Sequence, residues 1–279
     1  MYNMEQWIEE NIQMLKSQTF KNFQVVIVDD MSTDESVDKA RKAIEGDCRF
    51  KLIVNNEKRY KSRNVVEAIK VTKADKEDVI VLVDGDDKLA HKNVLQKLYD
   101  IYSHKQCWMT YGSYENTEGI RYKRCMAYHE DIIKNNSYRK TPWLASHLKT
   151  FKYGLWEKLD MNSMRVTEKE KRKAILRALF KLQFRHWYYW NKINNDDLHD
   201  PSGLFTRRVD DKGFTLSMLE MAGDRACFVE EVLYVFRTPP QSKGGAHKIF
   251  GKHNSKKWHT RLIRDVHFHK RPYARLKKL

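Results

Sequence analysis

Two apolar segments that run directly into clusters of aspartate constrain the fold of this chain more than any other feature. Residues 23–28 precede Asp29-Asp30, and residues 79–83 precede Asp84-Gly85-Asp86-Asp87. Around them, apolar residues recur at helical spacing, and strands that alternate with helices predict an α/β domain with a mostly parallel sheet. Because ligands bind at the carboxyl ends of strands in such sheets, we expect both acidic clusters to share one edge.

The remaining predicted elements follow from the same periodicities. Ser32 and Glu35 have the spacing of a capping box and predict a helix start near residue 34. Residues 167–190 predict either one long basic helix or a helical hairpin, whereas residues 143–159 mix aromatic and basic residues. Helices are predicted over 5–17, 34–45, 61–71, 91–103, 211–222 and near 256–268, and strands over 23–28, 50–54, 79–83, 107–111, 226–229 and 232–236.

The pattern of cysteines and the shortness of the apolar runs indicate the cellular compartment in which the protein acts. No apolar run approaches the roughly 18 residues of a membrane-spanning helix, and the N-terminus lacks the cationic and apolar pattern of a signal peptide. The four cysteines contain no Cys-x-x-Cys pair: Cys48, Cys107, Cys125 and Cys227. We therefore expect reduced, mostly buried thiols, no zinc site, no disulfide framework and an intracellular, cytoplasmic protein.

The positive charge is concentrated in two segments. The chain carries 53 Lys and Arg against 37 Asp and Glu, a net charge of +16. Residues 163–193 hold nine of these cations and two acids, and residues 243–279 hold twelve and one. Such segments favour a polyanionic partner, namely nucleic acid, an anionic membrane or an acidic glycan, although a solvated basic surface is the simpler alternative.

Three aspartates within four residues repel one another unless a cation lies between them. Carboxylate oxygens are the ligands that Mg²⁺ and Mn²⁺ prefer, and Gly85 allows a phosphate to approach the backbone. Aspartates of this pattern are often only turn or cap residues. Their position after an apolar strand favours a divalent metal site formed by Asp84, Asp86 and Asp87.

Several motifs, in this order and spacing, resemble the family-2-type glycosyltransferases of the GT-A fold. They are Tyr2-Asn3, residues 15–34 with the sequence LKSQTFKNFQVVIVDDMSTD, Ser62-Arg63-Asn64, and residues 81–87 with the sequence VLVDGDD. The resemblance is strong over residues 2–113 and weaker over 211–223 and 231–236. It implies a GT-A-type, Rossmann-like sheet flanked by helices, with residues 163–193 as a basic helical insertion.

The resemblance also implies a domain organisation and residue roles. Residues 1–115 would form the nucleotide-sugar-binding half, 116–240 the acceptor side, and 241–279 a basic C-terminal extension. In the donor site, Asp30 resembles the carboxylate that accepts the N–H of a uracil-like base, with Ser32 beside it and Arg63 near the nucleotide. Asp84 resembles the ribose-side aspartate, and Asp86 and Asp87 the metal and diphosphate pair.

On the acceptor side, the family places a catalytic base at the start of a helix. Asp211 fits this position, with Asp210 as the second choice, although a helix N-cap is an equally good interpretation of this pair. His247 is the candidate that completes the metal shell. The other late histidines are more typical of surface or polyanion contacts.

One departure from the family pattern concerns the start of the chain. Family members begin with an apolar strand just before the Tyr-Asn pair, next to the strand equivalent to residues 23–28. Here Met1 precedes Tyr2 directly. Either the true start lies upstream, or another segment fills the position, or the protein is a degenerate, inactive homologue.

These features predict a metal-dependent glycosyltransferase that moves a sugar, with inversion, from a nucleoside diphosphate donor, preferably a UDP-sugar. The acceptor is expected to be anionic or to lie on an anionic surface, such as a glycan, a glycolipid or a hydroxylated base in DNA. One alternative is an inactive GT-A-like module that binds nucleic acid through its basic segments. The other is a nucleotidyltransferase, which usually carries a Gly-rich phosphate loop that this sequence lacks.

Overall fold

The computed structural model describes residues 1–208, 210–237 and 255–279, and it has an α/β architecture. Its helices are α1 (Ile8–Lys16), α2 (Ser36–Ile44), α3 (Tyr60–Thr72), α4 (Val94–His104), α5 (Glu130–Lys134), α6 (Tyr153–Trp156), α7 (Glu168–Phe180), α8 (Phe184–Asn191), α9 (Asp210–Ala222) and α10 (Ser255–His269). Its strands are β1 (Val25–Asp29), β2 (Phe50–Val54), β3 (Val79–Val81), β4 (Lys88–Leu89), β5 (Met109–Gly112), β6 (Glu115–Asn116), β7 (Ser146–Lys152), β8 (Ala226–Val229) and β9 (Tyr234–Phe236).

The strands form three groups that the helices flank. Strands β1 and β2 pair in parallel, four strands follow the order β3-β7-β5-β8, and three follow the order β4-β9-β6. In the four-stranded group, β8 runs parallel to β5, whereas β7 is antiparallel to both of its neighbours. The predicted α/β class is confirmed, and both predicted halves of the chain contribute strands to the same sheet.

Strand β7 was not predicted, although it lies at the centre of the four-stranded group. Its segment contains Ser146, His147 and Lys149, so no apolar run marks it. The side chains of Thr150 and Phe151 are nevertheless fully buried, and the Thr150 hydroxyl lies 2.6 Å from that of Thr110 on β5. Polar residues are therefore accommodated in this strand because their hydrogen-bond partners are supplied across the sheet.

The outer edge of β1 contacts the first residue. The Met1 amino group donates a hydrogen bond to the Val28 carbonyl, and the Asp30 backbone N–H donates to the Met1 carbonyl at 2.9 Å. Among the strands of the described residues, none lies between β1 and β3. Met1 therefore makes the backbone contacts that β1 has on this side, and they hold the loop after β1 in place.

The predicted capping box of Ser32 and Glu35 is wrong. Helix α2 begins at Ser36, whose backbone N–H donates to the Asp34 carboxylate at 3.0 Å. The Ser32 hydroxyl instead donates to the carboxylate of buried Asp29. The capping box is absent because the Ser32 oxygen accepts the backbone N–H of Asn3 at 2.9 Å, while the N–H of Glu35 donates to the Glu5 carboxylate at 3.2 Å.

The basic segment around residues 167–190 is a helical hairpin, one of the two predicted forms. Helix α7 begins with a capping box in which Thr167 and Glu170 bond each other's backbone N–H groups. Helices α7 and α8 pack with α10 around a separate apolar cluster that includes Ala178, Trp190 and Trp258. That residues 163–193 are an insertion relative to the family remains a prediction. In the described part of the chain, no helix combines the length and the apolar character required to cross a bilayer.

The prediction that all four cysteines are reduced is wrong for one pair. Cys107 and Cys227 form a disulfide, with their Cα atoms 6.0 Å apart, whereas Cys48 and Cys125 are free. The parallel pairing of β5 and β8 brings the two residues together across 120 positions of sequence. Sequence spacing could not reveal this pair, since it depends on which strands become neighbours.

We expect protein purified without reductant to contain two reactive thiols in denaturant and four after reduction. In the folded state, exposed Cys48 should react first, because buried Cys125 is shielded and burial raises the pKa of its thiol. Titration with a chromogenic disulfide reagent measures both numbers. Four reactive thiols in the unreduced, denatured protein would contradict the disulfide.

Candidate active site

The acidic loop Asp84–Asp87 follows β3 and is held from two sides. From α1, the buried Asn11 amide donates to the backbone carbonyls of Asp84 and Asp87, at 3.2 and 2.7 Å. From β9, the Tyr234 hydroxyl accepts the backbone N–H of Asp84 at 3.1 Å and donates to the Asp87 carboxylate at 2.9 Å. The loop is therefore fixed by groups from both ends of the chain.

Asp84 has the lowest pKa of the three aspartates in the loop. Burial alone would raise its pKa, but the nearby Lys61, His147 and Lys149 outweigh that effect and lower it to about 2. The Lys61 ammonium contacts the Asp84 carboxylate at 2.5 Å. Asp84 therefore remains ionised at any physiological pH, and its charge acts on the two aspartates that follow.

Asp87 points into the protein rather than towards solvent. Its carboxylate accepts hydrogen bonds from the Tyr234 hydroxyl and from the backbone N–H of Arg237, each at 2.9 Å. Burial raises the pKa of Asp87, and the charges of Asp86 and Asp84 raise it further. The two hydrogen bonds lower it by less, so the pKa is about 7. In this geometry Asp87 connects the loop to β9.

Asp86 is half-buried, and its carboxylate forms no ion pair with any of the described residues. Burial raises its pKa, and the neighbouring charge of Asp84 raises it further, whereas Lys61 and the Met1 ammonium act in the opposite direction without cancelling these effects. A cation would stabilise an anionic Asp86 beside an anionic Asp84. Because the donors are carboxylate oxygens, Mg²⁺ or Mn²⁺ fits the site. No three His, Cys, Asp or Glu side chains within the described ranges converge as a ready-made metal cage.

Asp30, at the carboxyl end of β1, is buried in a dense hydrogen-bond network. One carboxylate oxygen accepts from the Asn55 amide at 3.1 Å and from the Arg59 N–H at 2.8 Å. The other accepts from the Tyr60 N–H at 3.0 Å and lies 3.3 Å from the Lys58 ammonium. Burial would raise the pKa of Asp30, but these donors and Lys58 hold it below its ordinary value.

The two other predicted donor-site residues, Ser32 and Arg63, have different surroundings. The Ser32 hydroxyl bonds Asp29 and accepts the backbone N–H of Asn3 at 2.9 Å, so it fastens the loop after β1 to the start of the chain. The Arg63 guanidinium is engaged by Glu67 at 2.9 Å and by Glu57 at 3.2 Å, and it lines a separate cavity of about 490 Å³.

The acceptor-side candidates are only partly described. Asp210 and Asp211 occupy the first positions of α9, as the helix prediction required, but their side chains lie outside the described part. His247 also lies outside the described residues. Their roles as base and metal ligand remain predictions.

The structure adds three groups that sequence reasoning missed, Lys61, His147 and Lys149, which lower the pKa of Asp84. Lys61 precedes the Ser-Arg-Asn motif directly, which was an available signal. His147 and Lys149 belong to β7, and a lysine as deeply buried as Lys149 is unusual unless a carboxylate is near. Recognition of β7 as a strand was therefore the missing step.

Comparison with solved structures identifies the fold as that of the GT-A glycosyltransferases. The crystal structure of TarS from S. aureus matches 86% of this chain and 36% of its own, with a TM-score of 0.54 and 19% identity. The mannosyltransferase PcManGT from Pyrobaculum calidifontis, solved with GDP-Man and Mn²⁺, matches 87% of this chain and 56% of its own, with a TM-score of 0.50 and 18% identity.

The chain belongs to glycosyl transferase family 2, whose family model matches residues 1–159. It is 25% identical over 248 residues to the uncharacterized glycosyltransferase EpsJ of Bacillus subtilis (strain 168), which covers 87% of this chain and 60% of EpsJ. It is 27% identical over 115 residues to the glycosyltransferase GlyG of Streptococcus pneumoniae serotype 4, covering 41% of this chain and 37% of GlyG. The chain therefore spans 60% of the length of EpsJ and 37% of the length of GlyG, less than two thirds of either relative.

Proposed function

We propose that this protein transfers a glycosyl group from a nucleoside diphosphate sugar to an acceptor hydroxyl, with a divalent metal at the loop after β3. The observation that carries the proposal is Asp86, a half-buried carboxylate beside ionised Asp84 with no ion-pair partner among the described residues. Family membership supports it. The Mn²⁺ and GDP-Man bound to the P. calidifontis enzyme supply a precedent in the same fold.

Within this site, Asp86 and Asp84 would hold Mn²⁺ or Mg²⁺. Asp87, the third predicted ligand, would instead position the loop, because its carboxylate is bonded to Tyr234 and Arg237. When bound, the metal neutralises the charge that develops on the leaving diphosphate. Lys61 and buried Lys149 add positive charge to the same region, so the chain itself contributes to the binding of the diphosphate.

A UDP-sugar is the donor that we propose, since the resemblance assigns a uracil-like base to Asp30. The four hydrogen-bonding positions of this carboxylate are satisfied by the protein. A base would therefore displace one donor, and Lys58 is the candidate because its side chain is 23% exposed, whereas Asn55 is buried and the other two donors are backbone N–H groups.

Asp211 is the base that we propose for the acceptor hydroxyl, with Asp210 as the alternative, because both stand at the start of α9. Direct attack by the deprotonated acceptor on the sugar is a single displacement, so the anomeric centre would be inverted. The two basic segments support an acceptor that is anionic or that lies on an anionic surface, such as a glycan, a glycolipid or a hydroxylated base in DNA.

Asp86→Asn should weaken the binding of UDP in the presence of Mn²⁺ by at least about tenfold, or ~1.4 kcal/mol. The amide keeps the shape of the side chain but removes the charge that attracts the metal. Isothermal calorimetry with and without Mn²⁺ measures the effect. Asp100→Asn, an exposed site on α4, is the matched control and should bind like the wild type.

Equal UDP affinity in Asp86→Asn and wild type would contradict the metal assignment. DNA binding that is steeply salt-dependent, together with no affinity for any nucleotide, would instead support the inactive nucleic-acid-binding module.

A further inference from the structure

The tip of the α7–α8 hairpin, defined as residues 176–188, exposes large apolar side chains that the fold does not use. Phe180 is 83% exposed, Leu182 is 72% exposed and Phe184 is 59% exposed. The inner face of the hairpin, by contrast, is packed: Ala174, Ala178 and Trp190 are buried against α10. The tip therefore presents an apolar surface that internal packing does not explain.

The turn between the two helices maintains this exposure against backbone preference. The N–H of Gln183 donates to the Ala178 carbonyl at 2.8 Å, and the N–H of Leu182 donates to the Leu179 carbonyl at 2.9 Å, the two bonds of a Schellman motif. Leu182 takes the left-handed position of that motif, with φ of 53°, where glycine is the usual residue. The Leu182 side chain at this position is 72% exposed, so the turn itself adds an apolar group to the surface.

Positive charge surrounds the apolar tip. Lys173, Lys181 and Arg185 are exposed and form no ion pair within the described ranges. The acidic residues of the hairpin, Glu168 and Glu170, lie in the first turn of α7, at the opposite end. The tip is thus apolar at its centre and cationic at its margin.

A groove of about 350 Å³ separates the tip from α10 and combines the same two properties. Its lining residues include Leu182, Phe184, Arg185, Lys257, Trp258 and Arg261. Three cationic side chains on one groove match the phosphate of a lipid headgroup, and the apolar residues beside them match the start of an acyl chain.

We propose that the hairpin tip binds the surface of an anionic lipid bilayer, with Phe180, Leu182 and Phe184 inserted at the interface and Lys181 and Arg185 on the headgroups. Nucleic acid is the competing partner, because Phe180 and Phe184 offer stacking surfaces to bases. The bilayer is favoured because the aliphatic Leu176, Leu179 and Leu182 share the exposed surface, and a base cannot stack on them. The inference rests on the geometry of the hairpin and does not depend on the proposed glycosyl transfer.

Co-sedimentation of the full chain with vesicles tests the proposal. We expect the protein to bind vesicles of phosphatidylcholine with about one-third phosphatidylglycerol, and to bind pure phosphatidylcholine at least about tenfold more weakly. The triple variant Phe180→Ser, Leu182→Ser, Phe184→Ser should reduce binding to the anionic vesicles by about tenfold or more, because the inserted apolar area is lost. The double variant Lys181→Glu, Arg185→Glu should do the same, and added salt should weaken the wild type.

The matched control is Ile120→Ser, Met126→Ser, two apolar residues that are 60% and 50% exposed on another part of the surface. It should bind the anionic vesicles like the wild type. Circular dichroism and thermal unfolding of each variant show that the helices are intact, which is expected because all substituted side chains are exposed.

Unchanged vesicle binding in both tip variants would overturn the proposal. The proposal would also be overturned if the wild type did not bind anionic vesicles but bound a single-stranded oligonucleotide, and the tip variants lost that binding. The tip would then be a nucleic-acid-binding surface. Neither measurement uses a sugar nucleotide, so failure here is distinguishable from failure of the proposed transferase activity.

Discussion

Arg139→Met should lower the free energy of unfolding by about 3–5 kcal/mol, because it leaves the Glu220 carboxylate buried without its partner. The Glu220 side chain is fully buried and that of Arg139 is 6% exposed. The guanidinium meets the carboxylate through two bonds, Nε to Oε1 at 2.5 Å and Nη2 to Oε2 at 2.8 Å. Glu220 also accepts the backbone N–H of Tyr273 at 3.0 Å, so the same pair fastens the C-terminal segment to α9.

Chemical denaturation of wild type and variant measures the difference. Lys134→Met is the matched control, because Lys134 pairs with Glu130 at 3.0 Å on the surface, and an exposed pair contributes less than about 1 kcal/mol. Adding Glu220→Leu to Arg139→Met should recover part of the loss, since no uncompensated charge then remains. A loss below that of Lys134→Met would show that Glu220 finds another partner.

In metal-free buffer, the stability of the wild type should fall by about 4 kcal/mol relative to Asp87→Asn as the pH rises from about 4 to about 7. The pKa of Asp87 is about 7 in the folded protein, above the ordinary value of 3.8. Between these values the folded state holds a proton that the unfolded state has released. A rise in pH therefore favours the unfolded state, and the stabilisation present at low pH is lost as the pH passes the folded pKa.

Asp87→Asn removes this titration while the side chain keeps an acceptor for β9. Denaturant midpoints of both proteins across the pH range, with a chelator present, give the comparison. Asp100→Asn serves again as the control, and its stability should follow that of the wild type at every pH. A constant difference between wild type and Asp87→Asn would mean that Asp87 is already ionised in the folded state.

Local sequence signals predicted the elements that consist of continuous apolar residues or strong helical periodicity. Strands β2 and β8 were predicted to the residue, at Phe50–Val54 and Ala226–Val229, and α9 to within one residue. Strand β7 was missed because Ser146, His147 and Lys149 interrupt any apolar run, and the bond between buried Thr150 and Thr110 on β5 becomes evident only in the folded sheet. The capping box at Ser32 was wrong because the serine oxygen accepts the backbone N–H of Asn3, a contact from a distant part of the chain.

In the candidate site, the sequence identified the acidic loop but not the direction of its side chains. Asp84 and Asp87 differ because Lys61 contacts one, while the other lies against Tyr234 and Arg237, about 150 positions away along the chain. The Cys107–Cys227 disulfide eluded prediction for the same reason. Such features depend on the pairing of distant strands, which local periodicity does not encode.

The strand order β3-β7-β5-β8 has a consequence for folding during synthesis on the ribosome. Strand β5 has been synthesised by Gly112, but its parallel neighbour β8 begins only at Ala226. At synthesis rates of about 5–20 residues per second, β8 is synthesised roughly ten seconds after β5. During that interval one edge of β5 has no partner, and such an edge pairs readily with other chains. A lower density of neighbouring nascent chains and access to chaperones should therefore increase the fraction of protein that forms the native sheet.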